Sequence, residues 1–344
     1  MRRLWKNYRD VVVILRKKVL LLLLLGVSSI IITACSTSSK TSSSSSVVPS
    51  SHLISMQVGT LTSTDAVPIW LGVDRGFFKQ HGLLLKYLNI SSGAAIVPAL
   101  ESGSIQLAQF ATTVFMTATA RGIPLRSIAE VDHLSSKTTG FSILVKNTSG
   151  INSISQLKNK VIAVNATNSF ETLALEQEVL PAAHLTQSQV RIVPIPWPDM
   201  KEALLTGEVQ AVIPYDPFTA EIEQTPGVKV LARMRDYFPK GGLALGVVAG
   251  MDSYVSSHPA VIKAFRAGLA ESIAYIENHP RQAAVVVSNV LKIPQTTTLK
   301  SLSSFELDPK GKLDLMALNN VVTLLKNSNL VPSSYNPSLY LYNK

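Results

Sequence analysis

Cysteine is nearly absent: Cys35 stands alone among 344 residues. A single thiol cannot staple a fold, and no second cysteine exists to share a metal with it. Long apolar runs are missing as well. The most apolar stretch, "VLLLLLLGVSSIII" from Val19 to Ile32, falls short of the ~20 residues a bilayer-spanning helix needs. The six histidines, His52, His81, His133, His184, His258 and His279, are scattered. None pairs with another at a helical ligand spacing, so no metal site is expected. There is no G-x-x-x-x-G-K-[ST] phosphate loop and no G-x-S-x-G nucleophile elbow. The "GGLALG" of residues 241–246 lacks the G-x-G-x-x-G spacing and reads as a flexible entry into a strand. Ser155-Gln-Leu-Lys158 has S-x-x-K spacing but lies in an ordinary helix start. An enzyme therefore has little support, and no cofactor is expected.

What is present begins with charge. The formal +10 resembles that of a nucleic-acid binder, but seven of the 32 basic residues and one of the 22 acids fall within residues 1–34. The remainder carries 25 against 21, a mild +4 with no Lys/Arg cluster and interleaved aromatics, so no nucleic-acid footprint is read. Residues 1–34 follow the secretory pattern of a basic n-region and a short apolar h-region. Thr33 and Ala34 then lead into Cys35, and "Ile32-Thr33-Ala34-Cys35" resembles the lipobox of bacterial lipoproteins. The resemblance implies that the signal is removed before Cys35 and that this thiol carries lipid; two or more acyl chains anchor stably where one does not. Residues 35–51, rich in Ser and Thr, are expected to form a flexible tether.

The roughly 290 residues after the tether suit two domains. "MQVGTL", "LLLKYLNI", "IQLAQFA" and "RSIAEVD" read as strands, with helices such as "AVPIWLGVDRGFFKQHG" and "TTVFMTATARG" between them. The rhythm continues through "FSILVKN", the helix "SISQLKN", "KVIAVN", "VRIVPIP", "VQAVIPY" and "VKVLARM". Alternation of this kind indicates α/β sheets wound by crossovers. Near-continuous apolar strands indicate sheets covered on both faces. From Gly250 the chain turns helical: Val261, Ile262, Phe265, Leu269, Ile273 and Ile276 keep helical spacing.

Three segments share a pattern. "TSTDAVPIWLGVDRGFFKQHGLLLKYL", "LESGSIQLAQFATTVFMTATARGIPL" and "LLTGEVQAVIPYDPF" resemble, in order, motifs of the nitrate/sulfonate/taurine and pyrimidine-precursor (SsuA/THI5-like) substrate-binding proteins of ABC transporters. The aspartate usual in the family's two "G-x-[IV]-D" turns is Gln106 and Gln210 here, with consequences expected for packing or solubility only. The cysteine-rich motif of the related pyrimidine synthases is missing. The resemblance implies a type II periplasmic-binding fold of two doubly wound lobes, two crossing strands and a helical C-terminal end. The crossings are expected near Phe141–Val145 and Leu243–Val247, with lobe one over 52–142 plus 245–344 and lobe two over 143–244.

In doubly wound sheets ligands sit beyond the carboxyl ends of strands, where helix N-termini point. That rule selects Thr62, Ser63, Thr64 and Asp65 after the first strand, Ser92 and Gly93 after the second, and Thr112 and Thr113 after the third. In the second lobe it selects Asn168, Ser169, Tyr215 and Asp216. Each is also a natural helix cap; their convergence on one edge carries the functional reading, while Trp70, on an apolar helix, reads as core. No Lys or Arg lies in these loops, so an anion would rely on backbone N–H groups and hydroxyls. Asp65 and Asp216 could instead meet the amine of a zwitterion, and an uncharged heterocycle fits equally. The expected activity is that of a monomeric, lipid-anchored extracytoplasmic receptor delivering a small solute to an ABC permease and its ATPase. The alternatives are an enzyme on the same fold and a surface sensor or adhesin.

Overall fold

Two five-stranded sheets of matching order organise the chain. The first holds β1 (Ile54–Thr60), β2 (Leu83–Asn89), β3 (Leu107–Ala111), β4 (Leu125–Leu134) and β10 (Leu243–Met251). The second holds β5 (Ser142–Lys146), β6 (Val161–Val164), β7 (Arg191–Pro194), β8 (Ala211–Val212) and β9 (Val228–Arg233). In this computed structural model the described residues are 53–90, 93–134, 138, 140–238, 242–303, 306 and 313–342. Cys35, the expected signal and tether, and Ser92 lie outside them.

The spatial orders are β2-β1-β3-β10-β4 and β7-β6-β8-β5-β9. In each, three strands run parallel, and the fourth enters antiparallel. That fourth strand arrives from the other half of the chain. β5 follows a passage out of the first sheet and β10 a passage back, so the chain crosses just before each of these strands rather than within them. This is an α/β fold of two mixed, doubly wound sheets. The central strands β3, β5 and β6 are almost entirely buried, as sheets covered by helices require.

The expected helix "AVPIWLGVDRGFFKQHG" is two helices, α1 (Val67–Asp74) and α2 (Phe77–Gln80). Gly76 separates them at φ 75°, a left-handed conformation that ends α1 and re-aims the chain. The turn lets Phe78 stack on Phe265, ring centroids 5.1 Å apart. Trp70 is buried, and its indole N–H donates to Thr60 Oγ1 at 3.1 Å. Next come α3 (Gly93–Glu101), α4 (Thr112–Ala120) and, in the second sheet's half, α5 (Phe170–Ala174), α6 (Leu180–Ala182), α7 (Met200–Thr206) and α8 (Phe218–Glu223). "SISQLKN" forms only a 3-10 turn, Ile154–Leu157, with a Ser153/Gln156 capping box. β8 is two residues long because Pro214 has no N–H with which to extend the ladder.

The C-terminal helices are α9 (Asp252–Ser257), α10 (Pro259–Asn278), α11 (Pro280–Leu291), α12 (Gln295–Ser303) and α13 (Leu315–Asn327). α10 buries Val261, Ile262, Phe265, Leu269, Ile273 and Ile276, the face its spacing predicts. Among the described residues no helix is long and apolar enough to cross a membrane.

The two glutamines at the family's aspartate positions do the same thing in both sheets. Gln106 Oε1 accepts from Gln57 N at 2.8 Å, and its amide donates to Gly103 O at 3.0 Å. Gln210 Oε1 accepts from Val161 N at 3.0 Å, and its amide donates to Gly207 O at 3.2 Å. Each ties a helix–strand turn to the neighbouring parallel strand, β1 or β6, work a carboxylate could do only for the N–H half.

Candidate functional site

A cavity of about 550 Å³ opens where the carboxyl ends of both sets of parallel strands meet, lined from both sheets. One wall is aliphatic, with Leu61, Val97, Pro98, Ala111 and Val114 from the first sheet's half. The other is aromatic, with Phe141, Phe170, Trp197 and Tyr215. Phe141 stacks on Tyr215 at 4.5 Å between centroids and meets Phe170 edge-on at 5.6 Å; Trp197 tilts against Tyr215 at 5.7 Å. Such offset and edge contacts fix the rings and leave a rigid apolar surface toward the cavity.

Seven of the residues selected from sequence line this cavity: Ser63, Asp65, Gly93, Thr113, Asn168, Ser169 and Tyr215. Thr62, Thr64, Thr112 and Asp216 do not. Thr64 is buried behind it; its N–H donates to Asp216 O at 3.2 Å and its hydroxyl lies 3.2 Å from Ser301 Oγ. Asp216 Oδ1 accepts from Ala220 N at 3.1 Å, holding the first turn of α8. The Thr112 and Thr113 hydroxyls are buried and have no hydrogen-bond partner, and Thr113 reaches the cavity wall.

Asp65 lies inside the short turn Thr64–Ala66, where the N–H groups of residues 65 and 66 act on its carboxylate. Its carboxylate accepts from the Ser63 hydroxyl and the Gln109 side-chain amide. Burial raises its pKa to about 6, against the lowering effect of those bonds. Behind it lies Asp132, also raised well above its ordinary value, first by burial and then by the nearby Asp65 charge. Tyr215, from the second sheet's half, donates its O–H to Asp132 Oδ2, while Asp132 Oδ1 is buried without a partner. Gly246 makes room for this acidic floor: a Cβ there would stand 2.7 Å from Asp65 Oδ2 and 3.2 Å from Val131 Cγ2.

Three of the cavity residues not selected from sequence carry distinct chemistry. Glu171, in the first turn of α5, is buried, accepts from Asn165 N at 3.1 Å, and has its pKa raised by burial. Trp197 sits on a short turn, and its buried indole N–H acts on Glu171, whose pKa it lowers. Arg121, exposed just past the end of α4, brings a cation to the rim that the loops themselves lack. The strand-end rule does not single them out: Glu171 lies inside a helix, Arg121 follows one, and the β7 end that carries Trp197 was not among the loops selected.

The polar pattern therefore cuts two ways. The α5 N-terminus already faces its own acid, Glu171, whereas α4 has no acid in its first turn and leaves that end free. A free helix end favours an anion by only ~0.3–1 kcal/mol. Against that stand the like charges of the Asp65 and Glu171 carboxylates, which line the same cavity. Among the described residues no group of three or more metal-ligating side chains exists.

The NMT1/THI5-like family model matches residues 63–283. The chain is 27% identical over 215 residues to the taurine-binding periplasmic protein of Escherichia coli (strain K12), a match covering 62% of this chain and 63% of that protein. It thus spans less than two thirds of the length of that curated relative. The alkanesulfonate-binding protein SsuA from Xanthomonas axonopodis pv. citri, solved bound to MOPS, superposes with a TM-score of 0.71 at 16% identity, over 84% of this chain and 98% of that one. The periplasmic nitrate-binding protein NrtA from Synechocystis PCC 6803 gives 0.67 at 13% identity, over 82% and 83%. At these identities the two structures establish the shared fold.

Proposed function

The chain belongs to the NMT1/THI5-like family, and on that premise we propose that it is the extracytoplasmic solute receptor of an ABC importer. It takes a small organic or anionic solute, of the sulfonate, nitrate, taurine or pyrimidine-precursor class, between two lobes and hands it to a membrane permease. The observation that carries this reading is the cavity walled by both sheets, set at their strand carboxyl ends. The ligand-contacting set is Ser63, Asp65, Gly93, Thr113, Asn168, Ser169 and Tyr215, joined by Trp197 and Glu171. Thr62, Thr64, Thr112 and Asp216 support it from behind or beside, and Ser92, outside the described residues, is retained as an expected contact.

The lobes follow the expected division into 52–142 plus 245–344 and 143–244, except that Phe141 and Ser142 go with the second sheet and Leu243 and Ala244 with the first. Ligand bridges them, the two passages between the sheets bend, and the closed form is what the permease recognises. No bond is made or broken. Cys35 carries lipid after signal cleavage, residues 35–51 are the tether, and the receptor acts as a monomer at the membrane surface.

A thermal-shift panel of taurine, alkanesulfonates, nitrate and pyrimidine precursors finds the ligand. A true ligand at 100 times its dissociation constant stabilises the fold by about 2.7 kcal/mol. Small-angle scattering at that concentration should then show a smaller radius of gyration; an unchanged radius at saturation removes the closure mechanism. Loss of membrane association in Cys35→Ala tests the anchor, and a variant still firmly membrane-bound excludes it.

A further inference from the structure

We propose that the solute is flat and carries a positively charged amine or amidinium group, held by the Asp65 and Glu171 carboxylates. This rests on the receptor reading above and narrows its ligand class.

Both carboxylates line the cavity, and they come from the two different halves of the fold. Asp65 is 5% exposed and Glu171 2%. Among the described residues neither has a Lys, Arg or His partner in an ion pair. Every donor to them inside the protein is neutral: Ser63, Gln109 and the N–H groups of residues 65 and 66 to Asp65, and its own N–H, the Asn165 N–H, Ser169 and Trp197 to Glu171. A buried carboxylate without a countercharge is costly. A cationic ligand supplies that countercharge; a sulfonate adds a third negative group beside two.

The walls fit the rest of such a solute. A flat ring slides between the aliphatic face and the Phe141, Phe170, Trp197 and Tyr215 face, and aromatic faces attract cations. An independent feature also points to a polar ligand. Thr113 is 2% exposed, its hydroxyl has no partner, and it lies in the cavity wall. The hydroxyl lies just beneath the cavity surface, where a rotation of the side chain lets it accept an N–H from the ligand or donate to a ring nitrogen. The one basic side chain, Arg121, is exposed at the rim rather than buried beside the carboxylates.

The test uses benzylamine and benzamidine against benzenesulfonate and benzoate, by thermal shift and isothermal titration at pH 7.5. The cations should raise the melting temperature, and the two anions at equal concentration should not. Affinity for the cations should fall at least tenfold in Asp65→Asn and in Glu171→Gln. Asp65 also belongs to the Ser63–Gln109 network, so Glu171→Gln reads the charge independently if Asp65→Asn fails to fold by circular dichroism. An anion that binds more tightly than its cationic counterpart overturns the proposal, as does unchanged cation affinity in Glu171→Gln, or no shift from any of the four probes at 10 mM. An anion that binds and compacts the protein in scattering leaves the receptor reading standing and removes this one. A cation that binds without compaction does the reverse.

Discussion

The first sheet meets the cavity with an acidic floor and an aliphatic wall, whereas the second meets it with four aromatic rings and a single acid. Strand order, strand direction and even the glutamine staples at Gln106 and Gln210 are shared. The difference lies in what each sheet's loops carry beyond their strand ends. A shared scaffold sets where a ligand sits, and the loops set what it can be. The floor also joins the halves, through Tyr215 to Asp132 and Thr64 N to Asp216 O, so its electrostatics bear on closure as well as on binding.

The largest effect should come from crowding the floor. Gly246→Val places a Cβ 2.7 Å from Asp65 Oδ2 and should cost about 3 kcal/mol in urea unfolding. A loss below about 1 kcal/mol would mean that the floor yields and is not the rigid half of the site. Removing the opposite face should act on binding rather than folding, since Trp197 is only half-buried. Trp197→Ala is expected to weaken ligand affinity by about 2 kcal/mol, roughly thirtyfold, with a smaller change in unfolding midpoint.

Tyr215→Phe removes the one side-chain donor to Asp132 and leaves both its oxygens without a donor; about 1–2 kcal/mol of stability should be lost. Scattering of that variant should show a larger radius of gyration without ligand, and an unchanged radius would show that the hydrogen bond does not tie the halves.

Proton linkage separates the two halves more gently. The folded pKa of Asp65, about 6, lies above its unfolded value of 3.8, so the native state binds more protons between the two. Its contribution to stability is therefore greatest below about pH 4 and is lost as pH rises through 6. Asp132 and Glu130, both raised, act in the same direction, with Asp132 and Tyr215 facing Asp65 across the floor. Asp65→Asn should raise the melting temperature of the empty protein at pH 8 and change it less at pH 4.5. The reverse order would mean that the carboxylate is stabilised by a group facing it. The smallest effects should be equal: Gln106→Ala and Gln210→Ala are each expected to cost about 1 kcal/mol, and a large inequality would break the structural correspondence between the sheets.

The alternating apolar strands and the three glycine-turn motifs made the two-sheet architecture legible, because apolar pattern and turn chemistry are local properties. Asp65 and Tyr215 were legible as strand-end residues, but their chemistry was not. Asp65 looked like a helix cap, and only its placement beside Gln109, from the interior of β3, makes it a buried acceptor. Glu130 and Asp132 stand two apart on β4 and so share a face, yet nothing local says that this face meets the other half's tyrosine. Trp197 and Glu171 reach the cavity from a turn and a helix without a motif, and their arrival depends on how the halves pack.

The central claim is that one solute touches both halves at once. Titration calorimetry of the solute that the thermal-shift panel identifies, against wild type, Asp65→Asn and Trp197→Ala, tests it most directly. Both variants should change affinity at least tenfold, one from each wall, Asp65→Asn weakening a cationic solute and tightening an anionic one. Wild-type affinity in either would confine the ligand to a single half and contradict the account.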